Sequence, residues 1–137
     1  MGSSEGDARP GPLEGIRVLD FTALVQGPFA TQILGDLGAD VVKVERIGGE
    51  WMRRYTTYDP YLHGEGVPFV AFNRNKRSIT LDLKSEAART ILRRLVERSD
   101  VVAENFRPGV MDRLGFGYED LRAIKPDIIY ACATGFG

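Results

Sequence analysis

The chain has 137 residues, room for one domain with a proper core and not for two. With 43% hydrophobic and 27% charged residues it has the balance of a globular protein, which argues against a disordered one. Lys+Arg is 18 against Asp+Glu 19, a formal net charge of -1, which argues against a dominant nucleic-acid surface; one cysteine and one histidine argue against a disulfide framework, a thiolate zinc site or any His-rich metal site. No run approaches the ~18 consecutive apolar residues of a membrane helix, so no membrane partner is expected. Residues 1–12 contain Glu5 and Asp7 and no apolar stretch suited to a secretory signal, so they are expected to form a disordered leader, with the cytoplasm as compartment.

Residues 16–22 form a short apolar run of strand length, closed by Gly27 and Pro28. From Pro28 the apolar positions Phe29, Ile33, Leu34 and Leu37 fall at helical spacing. Pro28 suits the first turn and Gly38 the stop. Residues 40–45 are the next strand, which completes a βαβ unit and implies parallel pairing. Residues 46–66 break the rhythm with Gly48, Gly49, Pro60 and Gly64. The aromatics there, Trp51, Tyr55, Tyr58 and Tyr61, call for burial against a partner surface. A short apolar piece at 69–72 leads into the basic run of residues 73–77. Residues 78–84 alternate polar and apolar, and a strand with one wet face is expected over residues 77–83.

Ser85 is a good N-cap, and Ala88, Ile91, Leu92, Leu95 and Val96 form one apolar helical stripe. Residues 101–106 are another strand. Pro108 opens a short helix through Met111 and Leu114, and residues 119–124 add further helical turns, ended by Pro126. Residues 127–133 read as a last buried strand, with Cys132 as an inert core cysteine. Alternating strands and helices predict an α/β, mainly parallel sheet with flanking helices. A sequence that stops just after a core strand is expected to be an incomplete part of a larger domain.

In such sheets ligands bind beyond the carboxyl ends of the strands. The first loop there, residues 23–28, lacks both the G-x-G-x-x-G dinucleotide fingerprint and the Lys-Ser/Thr of a P-loop. It is a plain connection or an amide cradle for an anion. The basic run of residues 73–77 and Lys84 suit phosphates or a solvated face. At a later strand end, Asn105, Phe106 and Arg107 can bond, stack on and pair with a nucleotide-like ligand. His63 reads as a surface residue and Asp20 as a strand-end carboxylate bonding nearby amides, not as a catalytic group.

Taken in order, these pieces closely resemble the class III CoA-transferase family, the formyl-CoA and carnitine-CoA transferase group. The matching words run through residues 13–22, Gly27-Pro28, residues 37–45, 73–84 and 104–115, and the closing Gly135-Phe136-Gly137. The resemblance implies a Rossmann-like large domain, of which residues 13–137 are the amino-terminal part, and two chains interlocked as a homodimer. It places CoA over Val25, Gln26, Arg46, Leu81, Asp82, Leu83, Lys84, Asn105, Phe106, Arg107 and Arg113, with Arg74, Lys76 and Arg77 as further positive charge.

The implied reaction moves CoA from an acyl-CoA to a carboxylic acid acceptor. An aspartate attacks the thioester, giving a mixed anhydride and CoA thiolate; the thiolate converts the anhydride to an aspartyl-CoA thioester, which the acceptor opens. That aspartate is expected beyond Gly137, so the chain itself contributes no catalytic residue and should be inactive alone. No metal and no tightly bound cofactor is implied, CoA being a substrate. Two alternatives stay open: a 2-methylacyl-CoA racemase of the same fold, using a His/Asp pair, and a non-catalytic CoA-binding fragment.

Overall fold

The computed structural model describes residues 11–55 and 61–135. Most of the expected leader, Tyr58, Phe136 and Gly137 therefore lie outside the described residues. In chain order the elements are β1 (Arg17–Asp20), α1 (Gln26–Asp36), β2 (Asp40–Glu45), a 3-10 turn (Trp51–Arg53) and the hairpin β3 (Tyr61–Leu62) and β4 (Glu65–Gly66). Then come α2 (Val67–Asn73), β5 (Lys76–Thr80), α3 (Glu86–Val96), β6 (Val101–Glu104), α4 (Val110–Leu114), α5 (Tyr118–Ile124) and β7 (Ile129–Cys132).

The main sheet has the order β5-β2-β1-β6-β7, and every pair is parallel. The chain builds outward from β1 through β2 to β5, then returns to β6 on the other side of β1. That reversal makes the fold doubly wound, with its switch point between β1 and β6. All five strands expected from the sequence are present. Residues 40–45 match end to end, whereas β1, β5, β6 and β7 stop short because their last residues bend into the loops above the sheet.

Alternate residues of a strand face opposite ways, and here the two faces differ in kind. On one, Leu19, Val42, Val44 and Val102 join Leu92, Val96, Met111, Phe116 and Leu121 in one buried cluster under α3, α4 and α5. Helix α3 starts as the sequence implies: Ser85 Oγ accepts from Ala88 N at 3.3 Å, and Ala88, Leu92 and Val96 are buried. On the other face, Val18 and Val41 make a small apolar cluster. Toward the carboxyl ends this face turns charged, with Asp20, Lys43, Glu45 and Lys76 under α1 and its neighbours.

This charged face sets the orientation of α1. Of the apolar residues at helical spacing, Leu34 packs against the Val18, Ala39 and Val41 cluster. Phe29, Ile33 and Leu37, however, are 50%, 42% and 41% exposed, while Gly27, Pro28, Thr31 and Gln32 are buried. A helix resting on buried charge must offer it polar partners, and Thr31 Oγ1 donates to Asp20 Oδ2 at 2.8 Å. Gly27 is required there by close approach, since a Cβ would come within 2.3 Å of Thr22 Cβ. Gly38 ends the segment with φ +102°, which only glycine adopts freely.

The expected burial of residues 127–133 is corrected. Ile128 is buried, but Ile129 is 60% exposed and Cys132 is exposed. Among the described residues β7 pairs only with β6 and forms the edge of the sheet, so one flank and much of its surface face solvent.

Candidate functional site

Above the carboxyl ends of the strands lies a groove of about 680 Å³. The end of β1 contributes Phe21, Thr22 and Ala23, and the segment after β2 contributes Arg46, Ile47, Glu50 and Trp51. Leu81, Asp82, Leu83 and Lys84 enter after β5, and Phe106 after β6. The walls are largely apolar, while Arg46 and Lys84 are exposed cations of its lining. Trp51, half exposed, stacks on Tyr55 with ring centroids 4.3 Å apart.

The buried charges along and beneath this groove are paired. Lys43 Nζ donates to Thr22 O at 2.7 Å and lies 2.8 Å from Glu50 Oε2 as an ion pair, both side chains being almost fully buried. Lys76 Nζ contacts Asp20 Oδ2 at 2.9 Å, Pro28 O at 2.9 Å and Thr31 Oγ1 at 2.8 Å. Burial lowers the Lys76 pKa, and the Asp20 carboxylate opposes that shift. Burial alone would raise the Glu45 pKa, but hydrogen bonds from Arg53, Ser78 Oγ and Glu50 N–H outweigh it and hold Glu45 at about 2. Arg53 also sits 3.8 Å over the Phe69 ring and pairs with Glu65, so one guanidinium ties the segment after β2 to the hairpin and α2.

Of the residues singled out from the sequence, Arg46, Leu81, Asp82, Leu83, Lys84 and Phe106 line this one groove. Val25 and Gln26 are exposed where the turn beyond Ala23 passes into α1, and they are not in the groove's wall. Asn105 has both amide atoms engaged by Ala23: its Oδ1 accepts from Ala23 N and its Nδ2 donates to Ala23 O, each at 2.8 Å. Arg107 borders a second, smaller recess with Glu104, Asp112, Tyr118, Tyr130 and Cys132, and Arg113 is exposed on α4. In that recess Tyr130 Oη donates to Glu104 Oε1 at 3.0 Å. Cys132 is pushed up to about 11 by its hydrogen bond to Glu104, then by burial, which keeps it a thiol.

The cations of the basic run already have carboxylate partners. Arg74 pairs with Asp36, Lys76 with Asp20 and Arg77 with Asp40, and none of the three lines the groove. Asp20 behaves as read: it is fully buried and its Oδ1 accepts from Thr22 N at 2.9 Å. His63 is exposed. The buried ion pairs were missed. Lys43 and Glu45 inside an otherwise apolar strand were a visible signal for them, whereas Glu50, in a glycine-rich loop, carried none. Among the described residues there is no cluster of His, Cys, Asp and Glu fit to hold a metal ion, and no helix long and apolar enough to cross a membrane.

Comparison with known proteins places this geometry among relatives. The model of CoA-transferase family III matches residues 13–137. An acetyl-CoA:oxalate CoA-transferase of Acetobacter aceti is 51% identical over 132 residues, 95% of this chain and 33% of that protein. A succinyl-CoA:glutarate CoA-transferase of Mus musculus is 46% identical over 127 residues, 92% of this chain and 29% of that protein. Among solved structures, a CAIB/BAIF family protein from Brucella suis superposes with a TM-score of 0.85 at 42% identity, covering 90% of this chain and 33% of that one. The chain thus spans about a third of the length of the curated relatives it matches.

Proposed function

From the premise that this chain belongs to CoA-transferase family III, we propose that it forms the CoA-binding part of an enzyme that moves CoA between carboxylic acids. The observation that carries this reading is the groove. A thioester's long pantetheine arm needs an apolar channel, and its phosphates need exposed cations. Leu81, Leu83 and Phe106 supply the first, Arg46 and Lys84 the second. Arg107 and Arg113 are assigned to the same ligand by resemblance to the family.

The chemistry we assign is the covalent relay through an aspartate. The carboxylates of this chain support placing that nucleophile elsewhere in the protein. Asp20 is buried against Lys76, Asp36 is held by Arg74 and Asn75, and Asp127 by Lys125. Asp82 borders the groove but accepts from Lys84 N at 3.1 Å, closing its own turn. The named relatives are transferases, which favours this reading over the racemase. Their names pair CoA donors with oxalate and glutarate, so a short dicarboxylate is the first acceptor to assay. An interlocked homodimer working in the cytoplasm completes the proposal; the exposed apolar residues of α1 and Ile129 fit coverage by further protein.

The test is CoA titration of the full-length protein and its Arg46→Ala, Lys84→Ala and Arg113→Ala variants. Charge-assisted contacts worth ~1.5–3 kcal/mol each predict roughly ten- to a hundredfold weaker binding per substitution. Unchanged affinity in all three removes the site assignment.

A further inference from the structure

The turn that follows β1 holds a backbone conformation that its residue type disfavours. Leu24 has φ +69°, in the left-handed region where the Cβ of an L-residue crowds the following carbonyl. Packing does not impose this, since Leu24 is 49% exposed. Polar side chains do. Asn105, just past β6, brackets Ala23 through both its N–H and its C=O at 2.8 Å. Glu50 Oε1 accepts from Leu24 N at 2.7 Å, while its other oxygen faces Lys43 Nζ. Lys43 in turn donates to Thr22 O, and Asp20 Oδ1 accepts from Thr22 N. Successive peptide groups of one turn are thus gripped from β1, from β2, from the segment after β2 and from the end of β6, across the switch point of the sheet. A disfavoured φ persists when the surroundings over-determine it, and such residues gather where a ligand must be met by fixed geometry.

We propose that Asn105 and Glu50 are positioning residues that lock the turn at Ala23 and Leu24 in its left-handed form and so fix where Val25 and Gln26 stand beside the groove. Asn105 then acts on a bound ligand through Ala23 rather than by touching it. Glu50, with its side chain 5% exposed and both oxygens engaged, acts the same way through Leu24. The inference rests on the reading of the groove as a CoA site, and it adds a mechanical function for two side chains on opposite sides of the switch point.

The experiment measures CoA affinity in the full-length protein carrying Asn105→Ala, Glu50→Gln, both together, and each single change combined with Leu24→Gly. Each single change is expected to weaken CoA about tenfold, and the double change by about the same factor, because both release one turn. Leu24→Gly, free to adopt φ +69°, is expected to restore at least threefold of the loss. Multiplicative losses without rescue by Leu24→Gly, or unchanged affinity in both single variants, overturn the proposal. Amide hydrogen exchange without ligand separates this from the site reading: exchange at residues 23 and 24 is expected to rise at least tenfold in Asn105→Ala, and unchanged exchange overturns the proposal whatever binds in the groove. Unchanged CoA affinity in Arg46→Ala, Lys84→Ala and Arg113→Ala alike, beside faster exchange in Asn105→Ala, sinks the CoA reading and leaves the lock standing. Asn105→Asp, which keeps the acceptor for Ala23 N, carries the same measurements if Asn105→Ala does not fold.

Discussion

The two faces of the sheet solve the problem of burial in opposite ways. Under α3, α4 and α5, Leu19, Val42, Val44 and Val102 meet other apolar side chains, and each one fully buried contributes about 1.5–3 kcal/mol without demanding a particular angle. Under α1 and α2, Asp20, Lys43, Glu45 and Lys76 meet partners at 2.5–3.0 Å, so each contact specifies a position. A buried ion pair adds little net stability over an apolar pair of equal volume, because desolvating both charges offsets their attraction. What it adds here is geometry. The charged face underlies the loops that build the groove, and the apolar face carries the bulk of the core.

Breaking the charged face from one side gives the largest expected effect. Asp20→Ala leaves the Lys76 ammonium buried against Thr31 and Pro28 without its counter-ion, and should cost about 3–5 kcal/mol in urea unfolding. Adding Lys76→Met to Asp20→Ala removes the orphaned charge and should recover at least about 1 kcal/mol. Next comes the other face. Leu92, fully buried in the apolar cluster, should lose about 3 kcal/mol on truncation to Ala, with no dependence on pH between 5 and 8.

Acid sharpens the contrast further. Glu45 is held at about 2, below its ordinary value near 4.5, so its contribution is complete above that ordinary value and is lost as pH falls through about 2. Glu45→Gln should cost about 2 kcal/mol at neutral pH, from charge-assisted bonds lost to Arg53 and Ser78, and should flatten the acid limb of the stability curve. An acid limb identical to that of the parent chain would show that Arg53 does not hold this carboxylate.

Much of the layout was legible in the sequence because periodicity reports element type directly. The five parallel strands and the Ser85-capped helix follow from alternation, apolar runs and one hydroxyl. The groove was legible in part: Arg46, the segment 81–84 and Phe106 converge in one wall. What the sequence did not disclose was partnership. A run of Arg74, Lys76 and Arg77 looks the same whether it awaits phosphates or is already matched to Asp36, Asp20 and Asp40. Nor did residues 127–133 announce an edge strand, since an apolar run reads alike at the edge and in the centre of a sheet.

The smallest expected effect tests the least intuitive element. Phe29, Ile33, Leu34 and Leu37 recur along α1 at helical spacing, and a helix over a wholly apolar sheet would bury all four, whereas only Leu34 packs on the apolar cluster. Here the sheet beneath carries Asp20 and Lys76, and burying Ile33 against them would strip those charges of Thr31 Oγ1 and Pro28 O. The helix therefore lies with Thr31 down and Ile33 up. Ile33→Gln should change the stability of this chain by no more than about 0.5 kcal/mol, the range of ordinary surface substitutions. Thr31→Val, nearly equal in volume, should cost about 1–3 kcal/mol, because it removes a hydroxyl that both Asp20 and Lys76 use. Paired unfolding curves of the two variants decide the point. A larger loss for Ile33→Gln than for Thr31→Val would turn the helix over, and with it the assignment of the charged face.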